Sequence, residues 1–224
     1  MKICVVHGQN HRGNTCRLTQ MLLEQLDCEK DNIKEFHVGS IGQCTGCTQC
    51  ILKDEKLCPH RVSMQPIVEA LEEADVIVLE SPNYCMGMTG QLKNFCDHLG
   101  YRWMSHRPFD MRKKIGIGIS TTAGMGAGKT AKELCKQLFW WSVGRTYSLS
   151  FAVNAIRWEE IPEKRILKLS KKVRKLAHKI NGRYGRVHQS LKSRILFRIM
   201  TLMHQKMEWS ETETAYWRVN GWIK

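Results

Sequence analysis

The chain has 224 residues, is 42% hydrophobic and 25% charged, and carries a formal net charge of +14. That length suits one ordinary domain, with or without an extension, and can bury a sizeable core. The composition excludes a disordered or fibrous chain, no apolar run approaches the ~18 residues of a membrane span, and the apolar start is too short for a signal peptide, so a cytoplasmic protein is expected.

The elements alternate along the chain. Residues 2–7 read as a buried strand ending at Gly8, followed by a polar loop from Gln9 to Gly13. Asn14 or Thr15 can cap a helix to about Leu26, with Leu18, Met21, Leu22 and Leu26 on one face. A second strand is predicted over 32–38 and a helix over 65–73, with Pro66 in its first turn. Residues 75–80 form the clearest buried strand. A loop over 81–88 and a helix over 89–99 come next. Strand 113–120, loop 121–126, helix 131–141 and strand 147–155 complete the series. Parallel strands need crossovers, so this alternation predicts a parallel sheet with helices on both faces. In such a fold, ligands sit at the carboxyl ends of the strands, where strand order reverses.

Beyond Pro162 the pattern becomes helical. Ile166, Leu169, Val173, Leu176 and Ile180 recur at helical spacing, so 163–180 reads as an amphipathic helix, stopped by Asn181-Gly182. A second helix is expected over 190–207. Trp209, Tyr216, Trp217 and Trp222 make the tail too aromatic for a free end, so it should pack on the domain or on a second subunit. The domain is set at 1–182 and the extension at 183–224. From Arg157 to Arg198 there are 14 Lys or Arg against 3 Glu. This concentration reads as a solvated helix face or as a surface for an anionic partner or a membrane surface. No nucleic-acid motif accompanies it, so no nucleic acid is expected.

Four of the ten cysteines lie within fifteen residues, as Cys44, Cys47, Cys50 and Cys58. In a reducing compartment such cysteines are metal ligands or catalytic groups more often than disulfides. Three at a spacing of three, closed by a fourth from a longer loop, suit an iron–sulfur cube. Zinc with His60 as a further ligand, a Cys-x-x-Cys dithiol and four free thiols are the alternatives.

Three loops carry the remaining signals. His7-Gly8-Gln9-Asn10-His11-Arg12-Gly13-Asn14-Thr15 runs from a strand into a helix, whose free N–H groups suit a phosphate. A plain turn and cap is the simpler reading. This stretch resembles the Gly-Ser-x-Arg-x-x-Asn-Thr loop of the NADPH-dependent FMN reductase family, with Gln9 at the usual Ser and His11 or Arg12 near the usual Arg. Ser81-Pro82-Asn83-Tyr84 and Lys93-Asn94-Phe95-Cys96-Asp97 are similar to that family's Ser-Pro-x-Tyr and Lys-x-Phe-x-Asp segments. The cysteines match the spacing and place of its iron–sulfur flavoproteins. The resemblance covers roughly residues 1–155.

It implies a flavodoxin-like, doubly wound, five-stranded parallel sheet in three α/β/α layers, here with a helical C-terminal extension. It implies FMN held by Gln9, His11, Arg12, Gly13, Asn14, Thr15, Pro82, Asn83, Tyr84, Met86, Gly87, Thr121, Thr122 and Gly124. It further implies a [4Fe-4S] cluster on Cys44, Cys47, Cys50 and Cys58, NAD(P)H as co-substrate, and a homodimer or homotetramer; a redox protein partner docking through the basic helix belongs to the reading as an electron carrier. Tyr84 offers a ring face and Met86 a polarisable contact. No side-chain acid or base is expected to be catalytic, because hydride transfer demands none.

Ala123-Gly124-Met125-Gly126-Ala127-Gly128-Lys129-Thr130 also satisfies a relaxed P-loop. No acidic strand follows it to hold magnesium, so nucleotide hydrolysis is discounted. The expected activity is electron transfer between NAD(P)H or a protein donor, FMN and an acceptor. The alternatives are a cluster-free FMN or quinone reductase, an electron carrier, or a non-catalytic binding protein.

Overall fold

A computed structural model describes residues 1–103, 107, 110–207 and 210–224. The strands are β1 (Ile3–His7), β2 (Ile33–His37), β3 (Val76–Glu80), β4 (Ile115–Thr122) and β5 (Arg145–Ala152). They form one parallel sheet in the order β2-β1-β3-β4-β5, the flavodoxin-like arrangement. The helices are α1 (Asn14–Leu23), α2 (Gln49–Leu52), α3 (Arg61–Glu73), α4 (Gly90–His98), α5 (Ala127–Trp140), α6 (Glu163–Asn181), α7 (Leu191–Lys206) and α8 (Glu211–Val219).

Alternation along the central strands sorts the two faces. Cys4, Val6, Ile77 and Leu79 pack with Leu71 of α3, Phe95 of α4 and Leu134 of α5. Ile3, Val5, Val76 and Val78 pack with Leu18 and Leu22 of α1 and Leu169 and Val173 of α6. Because β1 and β3 are covered on both sides, they read as unbroken apolar runs. Gly118 has a steric reason: a Cβ there would lie 2.4 Å from the Ala131 carbonyl of α5.

Several boundaries differ from the sequence expectation. Thr121 and Thr122 are the last residues of β4, not loop residues. Helix α5 begins at Ala127 rather than 131, because Gly126 caps it at φ 99 and accepts from Lys129 and Thr130 N–H. Helix α3 begins at Arg61, so Pro66 lies inside it. The turn that closes the cysteine loop feeds directly into α3, through Arg61 N–H on the Cys58 carbonyl and Met64 N–H on that of His60.

The extension is helical and packs on itself. Trp217 of α8 is fully buried and stacks on Phe197 and His204 of α7, while Trp222 meets it edge-on. Arg112 joins this cluster to the domain by lying over the Phe197 and Trp222 rings. Trp209 lies outside the described residues. Helix α8 lies in the extension expected to be helical, and its Thr212 hydroxyl donates to the Leu52 carbonyl within the cysteine loop. Among the described residues, no helix is long and apolar enough to cross a membrane.

Candidate functional site

Strand order reverses between β1 and β3, and in such sheets ligands sit at the carboxyl ends of those strands. The register sets His7 opposite both His37 and Glu80. The next residue, Gly8, donates its N–H to the Glu80 carbonyl, and its own carbonyl accepts from Thr89 Oγ1 at 2.5 Å. The loop after β1 is thus tied to the loop after β3 at its first residue.

Helix α1 starts differently from the expectation. Its N-cap is Gly13, without a side-chain cap, and no acid occupies its first turn. Asn14 and Thr15 do not cap it. The Asn14 amide donates to the Ile156 carbonyl at 3.0 Å, and Thr15 Oγ1 meets Thr121 Oγ1 at 2.7 Å. An uncapped N-terminus keeps its first N–H groups available, which suits a phosphate. Gln9 is buried and its Oε1 has no partner. Such an orphaned acceptor costs ~1–3 kcal/mol unless a ligand or water donates to it. His11 and Arg12 are exposed beside this loop.

The loop after β3 makes a tight turn in which Tyr84 and Gly87 exchange both backbone hydrogen bonds at 3.0 Å. The two central residues, Cys85 (φ 49) and Met86 (φ 65), are both left-handed, a conformation that costs non-glycine residues ~1–2 kcal/mol each. Strain of this kind collects at ligand-holding positions. Pro82 is buried, whereas Tyr84 is 52% exposed and Met86 46%.

The Asn83 side chain is committed within the protein: its amide donates to the Met125 carbonyl at 2.9 Å and its Oδ1 accepts from Thr130 at 2.7 Å. It therefore locks the β3 loop to the β4 loop. Thr121 is buried and paired with Thr15, Thr122 Oγ1 donates to the Met125 carbonyl, and Gly124 is exposed. Met125 is 77% exposed. Tyr84, Met86 and Met125 thus form an uncovered apolar rim on two interlocked loops, a surface suited to a flat aromatic ligand.

The fourteen residues expected at one cofactor lie on the loops after β1, β3 and β4, at the end of β4 (Thr121, Thr122) and at the start of α1 (Asn14, Thr15). What the sequence did not disclose is the layer beneath. His7 is 1% exposed and donates through Nδ1 to Glu80 at 2.9 Å and through Nε2 to Glu35 at 2.8 Å. Burial works against a charged imidazole, but the bonds to Glu35 and Glu80 outweigh it and raise its pKa to about 9. The His7 bond in turn holds the Glu35 carboxyl below its usual range. His37 stacks on His7 at 4.5 Å and donates to the Gln9 carbonyl at 2.8 Å. Only the polar ending of β1 hinted at this network.

A family model described as NADPH-dependent FMN reductase matches residues 1–157. The chain belongs to the NADPH-dependent FMN reductase family. It is 26% identical to an iron-sulfur flavoprotein of Archaeoglobus fulgidus, across 94% of each chain. It is 29% identical to an iron-sulfur flavoprotein of Methanocaldococcus jannaschii, over 58% of this chain and 66% of that one. An apo NADH:FMN oxidoreductase shares the fold at 16% identity and TM-score 0.55, covering 86% of this chain and 93% of the other. An FMN-dependent NADH-azoreductase of Bacillus anthracis, solved in complex with FMN, shares it at 11% identity and TM-score 0.56, over 81% of this chain and 100% of that one.

The cysteine loop of this reductase-family chain lies after β2. Cys44, Cys47, Cys50 and Cys58 line one cavity of about 80 Å³, together with His60, Asp97 and His98. Gly46 (φ 66) and Thr48 (φ 58) make the two left-handed turns that curl the chain around it. Helix α4 anchors the loop. Asn94 accepts from Cys44 N–H at 2.8 Å and donates to the Ile41 and Gly42 carbonyls. His98 donates to the Gly42 carbonyl at 2.9 Å, and its other ring nitrogen lies 3.7 Å from Cys58 Sγ. Burial raises the pKa of the Cys50 thiol, and Cys58, Cys44 and Cys47 add to the shift, so the four sulfurs share one electrostatic environment. Among the described residues, no three His, Cys, Asp or Glu side chains are grouped to hold a metal ion.

Proposed function

We propose that this protein is an FMN-dependent oxidoreductase that exchanges electrons between NAD(P)H or a protein donor and an acceptor, with an iron–sulfur cluster in the 44–58 loop. The observation carrying the FMN reading is the joining of three loops at the reversal of strand order. The uncapped α1 start, with no acid in its first turn, leaves N–H groups for an anion, and the Tyr84–Met86–Met125 rim offers an exposed apolar surface. The orphaned Gln9 Oε1 fits a bound hydrogen-bond donor, such as a hydroxyl of the chain that carries the phosphate. When bound, FMN supplies exchange of one or two electrons.

The chain's own residues bind and orient. Gln9, Gly13, Asn14 and Thr15, with His11 and Arg12 nearby, would hold the phosphate. Pro82, Asn83, Tyr84, Met86, Gly87, Thr121, Thr122 and Gly124 would hold the ring. The Asn83 amide does so indirectly, by fixing the loops. Cys44, Cys47, Cys50 and Cys58 would hold the cluster: their chemistry suits iron and they line one cavity, but their sulfurs would have to draw together to ligate it. The names of the archaeal relatives support an iron–sulfur group beside the flavin. Helix α4 starts beside the ring loop and its Asn94 and His98 grip the cysteine loop, so one rigid element bridges the two centres.

Residues 183–224 act as an extension, and a homodimer or homotetramer is the expected assembly. Leu191, Ile195, Ile199 and Leu202 of α7 leave an exposed apolar stripe that fits a partner. Ten free thiols suit a cytoplasmic location. The carrier reading draws on the α6 cations Lys164, Lys168 and Lys172, which line a groove with Thr122 and Gly124 and could dock an acidic redox protein.

Anaerobic purification with a visible spectrum, an iron assay and an acid-labile sulfide assay tests both cofactors. Flavin bands without iron or sulfide would remove the cluster. A colourless protein that cannot be reconstituted with FMN would remove the whole reading. Steady-state rates with NADH and NADPH then separate enzyme from carrier.

A further inference from the structure

The phosphate loop rests on a buried charge cluster that FMN chemistry does not itself require. His7 is the last residue of β1, immediately before Gly8. Its two ring nitrogens both lie on carboxylate oxygens, of Glu80 on β3 and Glu35 on β2. With both carboxyls ionised, each oxygen only accepts, so both nitrogens carry hydrogen and the ring is an imidazolium. Gln20 of α1 adds a bond to the same Glu35 oxygen at 2.9 Å. The other titratable or charged groups facing the cluster are His37 of β2, stacked on His7, the Cys16 thiol of α1, and Arg12 and Arg17.

The cluster reaches the loop along two routes. Glu80 supplies both the carboxylate that holds His7 and the carbonyl that holds Gly8 N–H. His37, stacked on His7, holds the Gln9 carbonyl. Removing the His7 proton leaves a bare nitrogen facing a carboxylate. It also takes the formal charge of His7, Glu35 and Glu80 from minus one to minus two, next to a site meant for an anion. Both changes oppose phosphate binding.

We propose that His7 is the positioning residue of the cofactor loop, a buried imidazolium whose clamp between Glu35 and Glu80 sets the Gly8–Gln9 backbone for the flavin phosphate. This rests on the FMN reading above. It predicts that the chain distinguishes FMN from riboflavin by an amount that depends on pH.

The test titrates apo-protein with FMN and with riboflavin, by quenching of flavin fluorescence, from pH 6.5 to 10. The expected FMN Kd is flat up to about pH 8, then rises above the His7 pKa of about 9, by at most about tenfold per pH unit, the limit for one linked proton. Riboflavin has the same ring and no phosphate, so its Kd should stay flat apart from ring titration, which cancels in the ratio. His7→Gln should bind FMN at least tenfold more weakly at pH 7.5, with the pH dependence gone. Glu35→Gln keeps an acceptor at a partly exposed position and removes one charge, so it should fold and move the break to lower pH. Nitrogen NMR of the imidazole should show both His7 nitrogens protonated at pH 7.5.

A neutral His7 ring at that pH overturns the proposal. So does an FMN-to-riboflavin ratio that stays constant in the wild type, or a break that Glu35→Gln leaves in place. Wild-type protein that binds neither flavin at any pH overturns the FMN reading and this proposal together, an outcome distinct from binding without pH dependence.

Discussion

The His7 imidazole and the Glu80 carboxylate meet at 2.9 Å on the last residues of two neighbouring strands, and both side chains are buried. Because the pKa of His7 is raised from 6.5 to about 9, folding favours its protonated form. The stability it contributes is complete below about pH 6.5 and is lost as pH rises through about 9. The shift corresponds to about 3 kcal/mol at most. Urea unfolding at pH 6 and pH 10 should show a larger loss for wild type than for His7→Gln, and equal losses would refute the assignment.

Gly126 holds the β4 loop against the β3 loop at φ 99, and a Cβ there would sit 2.8 Å from the Asn83 amide nitrogen and 3.0 Å from the Met86 sulfur. Gly126→Ala should cost about 1–2 kcal/mol from the backbone alone and weaken flavin binding. Gly128→Ala, whose Cβ would meet the Ser150 hydroxyl at an ordinary 3.7 Å, should be neutral or stabilising. Thermal melts and flavin titrations of the two variants provide the comparison.

Asn94 makes three hydrogen bonds to the backbone of the cysteine loop. Asn94→Ala should cost about 1–3 kcal/mol and lower iron and sulfide content per bound flavin, leaving flavin affinity within threefold of wild type. Iron, sulfide and flavin assays after anaerobic reconstitution measure this. Variants losing flavin and iron in parallel would argue against a separate role for the loop.

Trp217 is the buried centre of the extension. Trp217→Ala should cost about 3–5 kcal/mol within residues 183–224. Because Thr212 of α8 bonds to the Leu52 carbonyl, the damage should reach the cysteine loop before the sheet. Hydrogen exchange should speed up in α7, α8 and around Leu52 while β1 and β3 stay protected. Uniform acceleration across the sheet would disprove this division.

Much of the architecture was legible in the chain. Apolar runs such as Val76-Ile77-Val78-Leu79 announce strands buried on both faces, and their alternation with amphipathic segments requires parallel crossovers. The loops at the carboxyl ends, and the cysteine spacing, could be read for the same reason: they are local. The boundaries that moved were decided by neighbours. Thr121 extends β4 because β5 offers it a partner in Phe151, and α5 starts early because Gly126 reaches a left-handed cap.

What periodicity and spacing determined by themselves was the order of elements, the faces they bury and the residues offered at each loop. What only the tertiary structure decided was which of those residues are already committed to one another. Asn14, Thr15, Asn83 and Thr121 look like free donors in the sequence, yet each bonds to a distant part of the chain. His7, Glu35 and Glu80 are separated by 28 and 73 positions, and only the parallel register of β2, β1 and β3 makes them one buried group. Charge in a protein interior is tolerated when it is paired, and such pairing arises from the packing of distant segments rather than from any one of them.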